Sequence, residues 1–424
     1  MPVKSALSNH SEPPTGDLLI TPTVWQDGAT AAVINDYGNP TGRRDMVAVI
    51  VGYARSPFTP AHKGALTHVR PEDFSAPVVR ELLSRCALEG DDVEDLLLGC
   101  AYPEGEQGLN IGRIVTYLSG LPVTVPGSTI NRLCGSSMQA IHTAAGAIML
   151  GAGECYLCGG VETMSRVQRG GFNRSPHPQM QEEYPEAYIA MGITAENVAQ
   201  LHSIPRIRQE EFALASHQKA ATARDAGRFD DEMVVIDTDD GEVSADGCIR
   251  ADTSLEKMAG LRPAFLEDGV VTAATSSPLT DGAAFVVVTS EEFAAARGLS
   301  PLARIISTAV VGVPPEIMGI GPVPATRKAL DRAGLTVEDM DVIELNEAFS
   351  SQSLAVIDEL GLDESRLNLD GGAIAIGHPL GASGARVTGK AAAILKREGG
   401  RYALATMCIG GGMGIATVLA SIDS

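Results

Sequence analysis

The chain has 424 residues, of which 44% are hydrophobic and 4% aromatic, and this length predicts two or three domains with a large buried core. Its formal net charge of −21 argues against broad nucleic-acid binding, and no apolar run approaches the roughly 18 residues that span a bilayer. The seven cysteines are scattered rather than spaced as a disulfide framework, and residues 1–30 lack a secretory signal, so we expect a reduced, cytoplasmic location.

Regular structure is predicted to begin at Met46. Residues 1–45 are rich in Pro, Gly, Asn, Asp and Thr and show little periodicity, so we interpret them as an N-terminal extension without an assigned role. Apolar runs and periodicity then predict, in chain order, a buried strand at 46–52, a helix at 71–86, strands near 93–100 and at 128–133, a helix of small residues from about 136 to 150, and a strand at 154–158.

The chain changes character between residues 164 and 279. Loops become longer and arginines more frequent, and we interpret this stretch as a loop domain inserted over the core. The arginines concerned are Arg166, Arg169, Arg174, Arg206, Arg208, Arg250 and Arg262. An acidic protein that binds an anionic ligand needs local cations of this kind.

The last third of the chain repeats the pattern of the first. Its predicted elements are a helix near 324–333, a strand at 340–345, a small-residue helix after His378 that runs to Lys396, and a strand at 402–407 that leads to Cys408. The order of reactive residue, small-residue helix, strand and glycines therefore occurs twice, which indicates an internal duplication. We expect an α/β fold of two halves, each with helices on both faces of a mixed sheet.

Cys134 lies at a predicted strand-to-helix junction, within Asn131-Arg-Leu-Cys-Gly-Ser-Ser-Met-Gln-Ala140. A thiol at such a junction lies near the positive end of the helix dipole, which favours the thiolate, and the free N–H groups of the first turn can bind an oxyanion. A lone cysteine is more often a small buried core residue, but the glycine and serine neighbours clear space around this one.

His378 and Cys408 are both framed by glycines. His378 lies in the segment 370–384, where glycines allow an imidazole to approach a ligand closely, and the alternative is a structural histidine. Cys408 precedes Ile409-Gly-Gly-Gly-Met-Gly414, whose N–H groups can form an oxyanion hole, and the alternative is a strand cysteine at a tight turn. Asn346 is either a helix N-cap or an amide that orients a water in an active site.

Two motif matches carry no function. Residues 384–390 have the spacing of a phosphate loop, but Ala391 stands where Ser or Thr is required and the segment is predicted to be mid-helix. Cys155-Tyr-Leu-Cys158 is a single CxxC on a predicted buried strand, without a second ligand pair, so we expect no metal there.

Four segments together resemble the thiolase family. Residues 131–140 are similar to its nucleophile motif, 346–349 to its NEAF box, 371–384 to its GGAIAxGHPxGxSG motif and 408–414 to its CxGGGxG motif. They occur in the family's order, and the resemblance extends from about Met46 to the C-terminus. It implies the thiolase fold, in which duplicated five-stranded mixed-sheet halves form α-β-α-β-α layers with an inserted loop domain.

The resemblance also implies a domain division and an assembly. After the extension at 1–45, the N-terminal half comprises 46–163 plus 280–292, the loop domain for CoA and acyl binding 164–279, and the C-terminal half 293–424. A homodimer or tetramer is the family's usual assembly, and the resemblance allows a complex with a hydratase–dehydrogenase subunit.

The resemblance assigns roles to matching positions. Cys134 would be the acyl-accepting nucleophile, His378 its base, and Cys408 the group that moves the proton at the substrate α-carbon. Asn346 would hold a water that forms one oxyanion hole with His378, and the N–H groups of Cys134 and Gly410 would form the other. No metal or redox cofactor is implied, because CoA is a co-substrate.

Five further positions are implied in binding CoA and the acyl chain. Arg250 matches a position along the CoA adenine, and Ser277 matches a serine near the pantetheine. Ala273, Met191 and Phe349 match other parts of the substrate site.

The implied reaction is thiolysis of 3-ketoacyl-CoA by CoA through an acyl-Cys134 intermediate, as in the bacterial degradative enzymes of fatty-acid β-oxidation. Short-chain acetoacetyl-CoA enzymes typically have a histidine where Ala190 stands, and its replacement removes a polar wall near the thioester and favours longer acyl chains. The alternative within the family is an acetoacetyl-CoA thiolase that acts in the condensing direction. Outside the family, a thioester hydrolase using only Cys134 and His378, or a scaffold subunit with an inactive site, are the alternatives.

One residue departs from the family pattern. Asp370 stands where asparagine is usual, directly before the glycine-rich segment that leads to His378. A carboxylate there either raises the pKa of His378, if it is close, or is solvated and inert.

Overall fold

The structure is a computed structural model that describes residues 46–423, so the predicted extension at 1–45 lies outside the described residues. The strands are β1 (Ala48–Arg55), β2 (Thr59–Pro60), β3 (Asp95–Gly99), β4 (Ser128–Ile130), β5 (Cys155–Thr163), β6 (Ile236–Thr238), β7 (Gly241–Val243), β8 (Thr280–Ser290), β9 (Ala303–Gly312), β10 (Val342–Leu345), β11 (Tyr402–Ile409) and β12 (Met413–Ala420). The helices are α1 (Pro71–Arg85), α2 (Ile111–Leu118), α3 (Ser136–Met149), α4 (Pro178–Glu183), α5 (Met191–Leu201), α6 (Arg206–Asp225), α7 (Leu255–Ala259), α8 (Glu291–Ala296), α9 (Pro322–Ala333), α10 (Ser350–Leu360), α11 (Ala373–Ile376) and α12 (Leu380–Glu398).

The predicted elements lie close to their expected positions, with differences at the ends. β5 continues to Thr163 because its whole length pairs with β8. The strand predicted at 128–133 instead ends at Ile130. Leu133 then has a φ of 46°, a left-handed conformation that turns the chain before Cys134.

Each half of the fold contains a mixed sheet. The N-terminal half has the strand order β1-β8-β5-β3-β4, with β2 beside β8, and the C-terminal half has β9-β12-β11-β10. Two residue pairs between β1 and β9 join the halves into a ten-stranded sheet. In the C-terminal half, a single bridge between Ile343 and Leu367 takes the place of the fifth strand. The predicted α/β fold of two mixed-sheet halves is therefore confirmed, with this difference in strand count.

Three hydrophobic cores separate five layers. The central helices α3 and α12 pack against each other and share one core with the inner faces of both halves. α1 and α2 cover the outer face of the N-terminal half, while α9 and α10 cover that of the C-terminal half. The central helices approach closely at Gly384, where any side chain would collide with the backbone of Met138, so this position requires glycine. The predicted α-β-α-β-α layering is confirmed.

The segment 164–279 contacts both halves. Its helices α5 and α6 pack against α10, and Arg55 of β1 forms ion pairs with Glu232 and Asp246 of the segment. Across residues 46–423, no helix combines the length and hydropathy that a membrane span requires.

The two dismissed motifs lie where the sequence predicts. Residues 384–390 are in the interior of α12. Cys155 and Cys158 are both on β5, but they belong to different hydrophobic cores on its opposite faces, so they cannot share a ligand. Within the described range, no three His, Cys, Asp or Glu side chains are grouped to hold a metal ion.

Candidate active site

Loops at the ends of several elements bring the predicted catalytic residues together. Cys134 lies between β4 and α3, Asn346 directly follows β10, His378 lies between α11 and α12, and Cys408 is near the end of β11. Asn346 contacts His378. The N–H of Gly410 bonds the Cys134 sulfur, and Cys134 is close enough to Cys408 to raise the pKa of its thiol. These contacts form two groups, and they meet where the backbone N–H of Asn346 donates to the carbonyl of Thr406 at 3.0 Å, two residues before Cys408.

The hydrogen bonds of His378 define which ring nitrogen carries the proton. Ser383 Oγ lies 2.5 Å from Nδ1, and the same hydroxyl donates to the carbonyl of Pro379 at 2.9 Å. Because the hydroxyl proton is already used, Ser383 accepts from Nδ1–H, and this network assigns the free electron pair to Nε2. Asn346 Nδ2 lies 3.4 Å from Nε2. The imidazole thus presents its basic nitrogen to the site.

The surroundings of His378 keep the ring neutral. Burial and, secondly, the positive charge of Arg386 lower its pKa to about 3. Its backbone N–H donates to Thr280 Oγ1 at 3.0 Å, which fixes the loop that carries the ring. A buried neutral imidazole with a free Nε2 can accept a proton from a reacting group.

Cys134 is a partly exposed thiol, one residue before the N-cap of α3. Burial raises its pKa, and the backbone N–H groups of Gly410 and of Cys134 itself only partly oppose this increase. The helix dipole was expected to favour the thiolate, but desolvation of the sulfur outweighs these donors and favours the thiol. The nucleophile needs a base as it reacts. The two N–H groups are the ones that the family resemblance implies for an oxyanion hole.

Cys408 is 1% exposed and pairs across the ladder with Gly414 of β12. Burial and, secondly, Cys134 raise its pKa, so it is a thiol that can donate a proton. It belongs to an apolar cluster that also contains Met191, Ala195, Val270, Val271, Met318, Ala348 and Phe349. Two of the predicted substrate residues, Met191 and Phe349, thus lie beside Cys408.

The other predicted ligand residues lie at and beside a cavity. Arg250 and Ala273 line a cavity of about 240 Å³. Ser277 donates its N–H and its hydroxyl to the carbonyl of Ala348, at 3.0 and 3.1 Å, and Ala348 precedes Phe349 in the apolar cluster. Arg250 and Ala273 therefore lie at the cavity, and Ser277 is bonded to the segment that enters the apolar cluster around Cys408.

The arginines of the insertion are only partly available to an anion. Three of them pair with carboxylates, Arg166 with Glu106, Arg206 with Glu210 and Arg208 with Asp358. Arg250 is exposed at the cavity and makes no ion pair within the described part of the chain. The expected local positive charge is therefore carried by particular arginines and not by the insertion as a whole.

Asp370 was expected either to raise the pKa of His378 or to be solvated, and it does neither. Its side chain is buried and forms ion pairs with Lys390 at 2.8 Å, Arg397 at 2.7 Å and Arg228 at 3.2 Å. Burial acts to raise the pKa of Asp370, but the hydrogen bonds and charges of Arg397 and Lys390 lower it to about 2. The charge that acts on His378 is Arg386, so both the close and the solvated alternatives are wrong.

Sequence reasoning missed two buried carboxylates that hold the site in place. Glu162 at the end of β5 accepts from the N–H groups of Ala101 and Gly381, at 2.8 and 2.9 Å, and so links the N-terminal half to the start of α12. Glu347 accepts from the N–H of Ile374 at 3.2 Å, in the turn that precedes His378. A carboxylate at the end of an apolar strand was the available signal for Glu162.

The fold and the paired thiols of the site define the class of protein. The family models described as "Thiolase, N-terminal domain" and "Thiolase, C-terminal domain" match residues 48–292 and 299–421, and the chain belongs to the thiolase family.

Individual thiolases are similar over most of their length. The 3-ketoacyl-CoA thiolase of Bacillus subtilis is 47% identical over 384 residues, which are 88% of this chain and 98% of that protein. The crystal structure of human mitochondrial 3-ketoacyl-CoA thiolase in complex with CoA has a TM-score of 0.82 at 39% identity, over 89% of this chain and 98% of that one. The Bacillus anthracis acetyl-CoA acetyltransferase has a TM-score of 0.82 at 41% identity, over 89% and 99%.

Proposed function

We propose that this thiolase cleaves 3-ketoacyl-CoA with CoA, giving acetyl-CoA and a shortened acyl-CoA. The observation that carries the proposal is the pair of neighbouring thiols, Cys134 and Cys408, with the N–H of Gly410 at Cys134. The neutral His378 contacts Asn346, whose backbone is bonded to the strand that carries Cys408. A thioester hydrolase needs a single nucleophile and gives Cys408 no task. Relatives named 3-ketoacyl-CoA thiolase, at 46–47% identity, support the same reaction.

The first half-reaction forms the acyl-enzyme. His378 Nε2 takes the proton of Cys134 as its sulfur attacks the 3-keto carbon, and the oxyanion is stabilised by the N–H groups of Cys134 and Gly410, by on the order of 3 kcal/mol per donor. The bond between C2 and C3 breaks, and its electron pair forms the enolate of acetyl-CoA. Cys408 protonates C2 of this enolate.

The second half-reaction transfers the acyl group to CoA. The Cys408 thiolate takes the proton of the CoA thiol, and the CoA sulfur attacks the thioester on Cys134. The Cys134 thiolate leaves and recovers its proton from His378. Asn346 Oδ1 has no hydrogen-bond partner in the described chain, and we assign it to the water that completes the second oxyanion hole with His378. Neither half-reaction calls for a metal or redox cofactor.

The degradative direction with longer acyl chains is the version that we favour. Ala190, at the N-cap of α5, places a small apolar side chain directly before Met191, which belongs to the apolar cluster beside Cys408. A condensing acetoacetyl-CoA thiolase would use the same residues, since an enzyme lowers the barrier in both directions. We also retain as proposals the domain division, the CoA contacts of Arg250 and Ser277, a cytoplasmic location, and a homodimer or tetramer that can join a hydratase–dehydrogenase subunit.

The test of the proposed function is the loss of 3-ketoacyl-CoA absorbance on addition of CoA, for acetoacetyl and longer chains, with Cys134→Ala as the control. We expect CoA-dependent loss that is faster for the longer chains and absent in the variant. Activity confined to acetoacetyl-CoA would transfer the assignment to the short-chain enzyme. Cleavage that proceeds equally well without CoA would contradict thiolysis.

Ser383→Ala should lower kcat by about tenfold, because the ring loses the acceptor that fixes its tautomer. The matched control is Thr388→Val on the same helix. Both hydroxyls bond a carbonyl four residues back, but only Ser383 contacts the imidazole. Steady-state kinetics with a 3-ketoacyl-CoA decide the question, and equal kcat values for the two variants would show that Ser383 acts only within the helix.

A further inference from the structure

A buried ion pair joins Arg386 to Glu344, close in sequence to the contact between Asn346 and His378. Arg386 of α12 is 1% exposed and Glu344 of β10 is 0% exposed, and Arg386 Nη1 lies 2.7 Å from Glu344 Oε2. Desolvation makes such a pair a weak source of stability, because the mutual attraction seldom exceeds the cost of removing two charges from water. A role in stability alone is therefore a poor account of it.

The pair joins the two elements that carry the catalytic groups. Glu344 precedes Asn346 by two residues, and the N–H of Asn346 still pairs with β11, so both side chains lie on the same face of this extended segment. Arg386 follows Ser383 by three residues, which places it one turn further along the same face of α12. Glu344 is thus a neighbour of Asn346, and Arg386 is a neighbour of Ser383, whose hydroxyl bonds the His378 ring.

The hydrogen-bonding groups of the pair are only partly satisfied. Four buried polar atoms at the pair have no hydrogen-bond partner in the described chain: Glu344 Oε1, Arg386 Nε, Arg386 Nη2 and the nearby Tyr53 Oη. The guanidinium is thus held through a single nitrogen. Its positive charge reaches His378, where it lowers the pKa of the ring.

We propose that Arg386 and Glu344 are positioning residues that set the charge facing His378 and thereby its strength as a base. An ionised Glu344 neutralises Arg386 and leaves Nε2 able to take the proton of Cys134. A protonated Glu344 leaves the cation uncompensated and weakens the base. This inference rests on the proposed thiolase activity, in which His378 deprotonates the nucleophile.

The charge state of Glu344 changes near neutral pH. Burial raises its pKa to about 7, against the opposing effects of Arg386 and Lys390. The other titratable groups that act on it are Asp370 and Glu347, from the adjoining connections, and Tyr53, from β1. Because the folded pKa lies above the ordinary value of 4.5, Glu344 is ionised above about pH 7 and protonated below it. The rate of acylation should therefore fall as the pH decreases through about 7.

The experiment is the pH dependence of kcat/KM for thiolysis in the wild type and in Glu344→Gln. Glutamine mimics the protonated carboxyl, so the variant should lose the acid limb near pH 7 and stay about tenfold below the wild-type plateau, as expected for a base weakened by about one pKa unit. The control is Glu72→Gln, because Glu72 of α1 is also a buried carboxylate paired with an arginine, Arg70. This variant should keep the acid limb of kcat/KM near pH 7.

The double variant Arg386→Met with Glu344→Gln separates charge from packing. It leaves no uncompensated member of the pair, so it should fold even if Glu344→Gln does not, and His378 then faces no cation. We expect kcat/KM above that of Glu344→Gln and no acid limb near pH 7. An acid limb that persists in either variant, or a wild type that cleaves without one, would overturn the inference. A wild type without thiolysis would instead overturn the proposed function.

Discussion

Cys408→Ala is expected to abolish cleavage of 3-ketoacyl-CoA while Cys134 still accepts acyl groups. In the proposed mechanism Cys408 protonates C2 as the bond between C2 and C3 breaks, and its thiol is buried in the apolar cluster with a raised pKa. Loss of a general acid lowers the rate by about a thousandfold. Transfer from a simple acyl-CoA to Cys134 breaks no bond between carbons, and the CoA sulfur can leave as a stable thiolate without the proton that Cys408 otherwise supplies, so it should continue.

Two assays separate these steps. Thiolysis is followed by the loss of 3-ketoacyl-CoA absorbance, and acyl transfer by labelling of the enzyme with a radioactive saturated acyl-CoA. Cys134→Ala should fail in both assays, whereas Cys408→Ala should fail only in the first. Cys158→Ala is the matched control for loss of a buried strand cysteine, because Cys158 is 0% exposed on β5 and belongs to the central core, and it should pass both.

The outcome also decides between classes of enzyme. A thioester hydrolase that uses Cys134 and His378 would keep its rate in Cys408→Ala. Full thiolysis by this variant would contradict the proposed mechanism, and loss of labelling would place Cys408 in the acylation step instead.

Much of the fold could be predicted because its signals are local. Apolar runs and the 3.6-residue period located α1, β11 and both central helices to within a few residues. The end of β4 and the single-turn helix α11 were not predictable in the same way, because each depends on turns at Leu133 and Gly377 whose positive φ values serve the tertiary site.

The residues of the candidate site also differ in whether local sequence could predict them. Cys134, His378 and Cys408 were predictable because their glycine neighbours lie next to them in the sequence. The roles of Glu162, Arg386 and Asp370 depend on partners that are distant in sequence, so no local pattern reports them. The raised pKa of Cys134 could not be predicted for the same reason, since the helix dipole is a local feature and the desolvation of the sulfur is a tertiary one.

Asp370→Asn should destabilise the folded chain by about 3 kcal/mol, as expected when one partner of a buried ion pair is removed. Asp370 is fully buried and faces Lys390, which is only 4% exposed in its side chain. Asparagine keeps the shape but not the charge. Lys390 retains Glu232 as a partner, and the half-exposed Arg397 and Arg228 can turn to water, so the loss should lie at the low end of the range for buried pairs.

The pH dependence gives this prediction a direction. The pKa of Asp370 is about 2 in the folded chain against an ordinary 3.8, so its contribution is complete at neutral pH and is lost as the pH falls from about 4 towards 2. The difference in unfolding free energy between wild type and Asp370→Asn should be constant between about pH 6 and 8 and should shrink below about pH 4.

Urea unfolding at a fixed protein concentration measures this difference, because an oligomer would make the midpoint depend on concentration. The control is Asp252→Asn, which removes the carboxylate of a lysine–aspartate pair whose two side chains are 59% and 87% exposed, and it should change the free energy little. Equal effects of the two substitutions would mean that Lys390 finds enough compensation in Glu232 alone. A larger effect for Asp370→Asn would show that this carboxylate, which stands where the thiolase pattern usually has asparagine, is required by the three cations that converge on it.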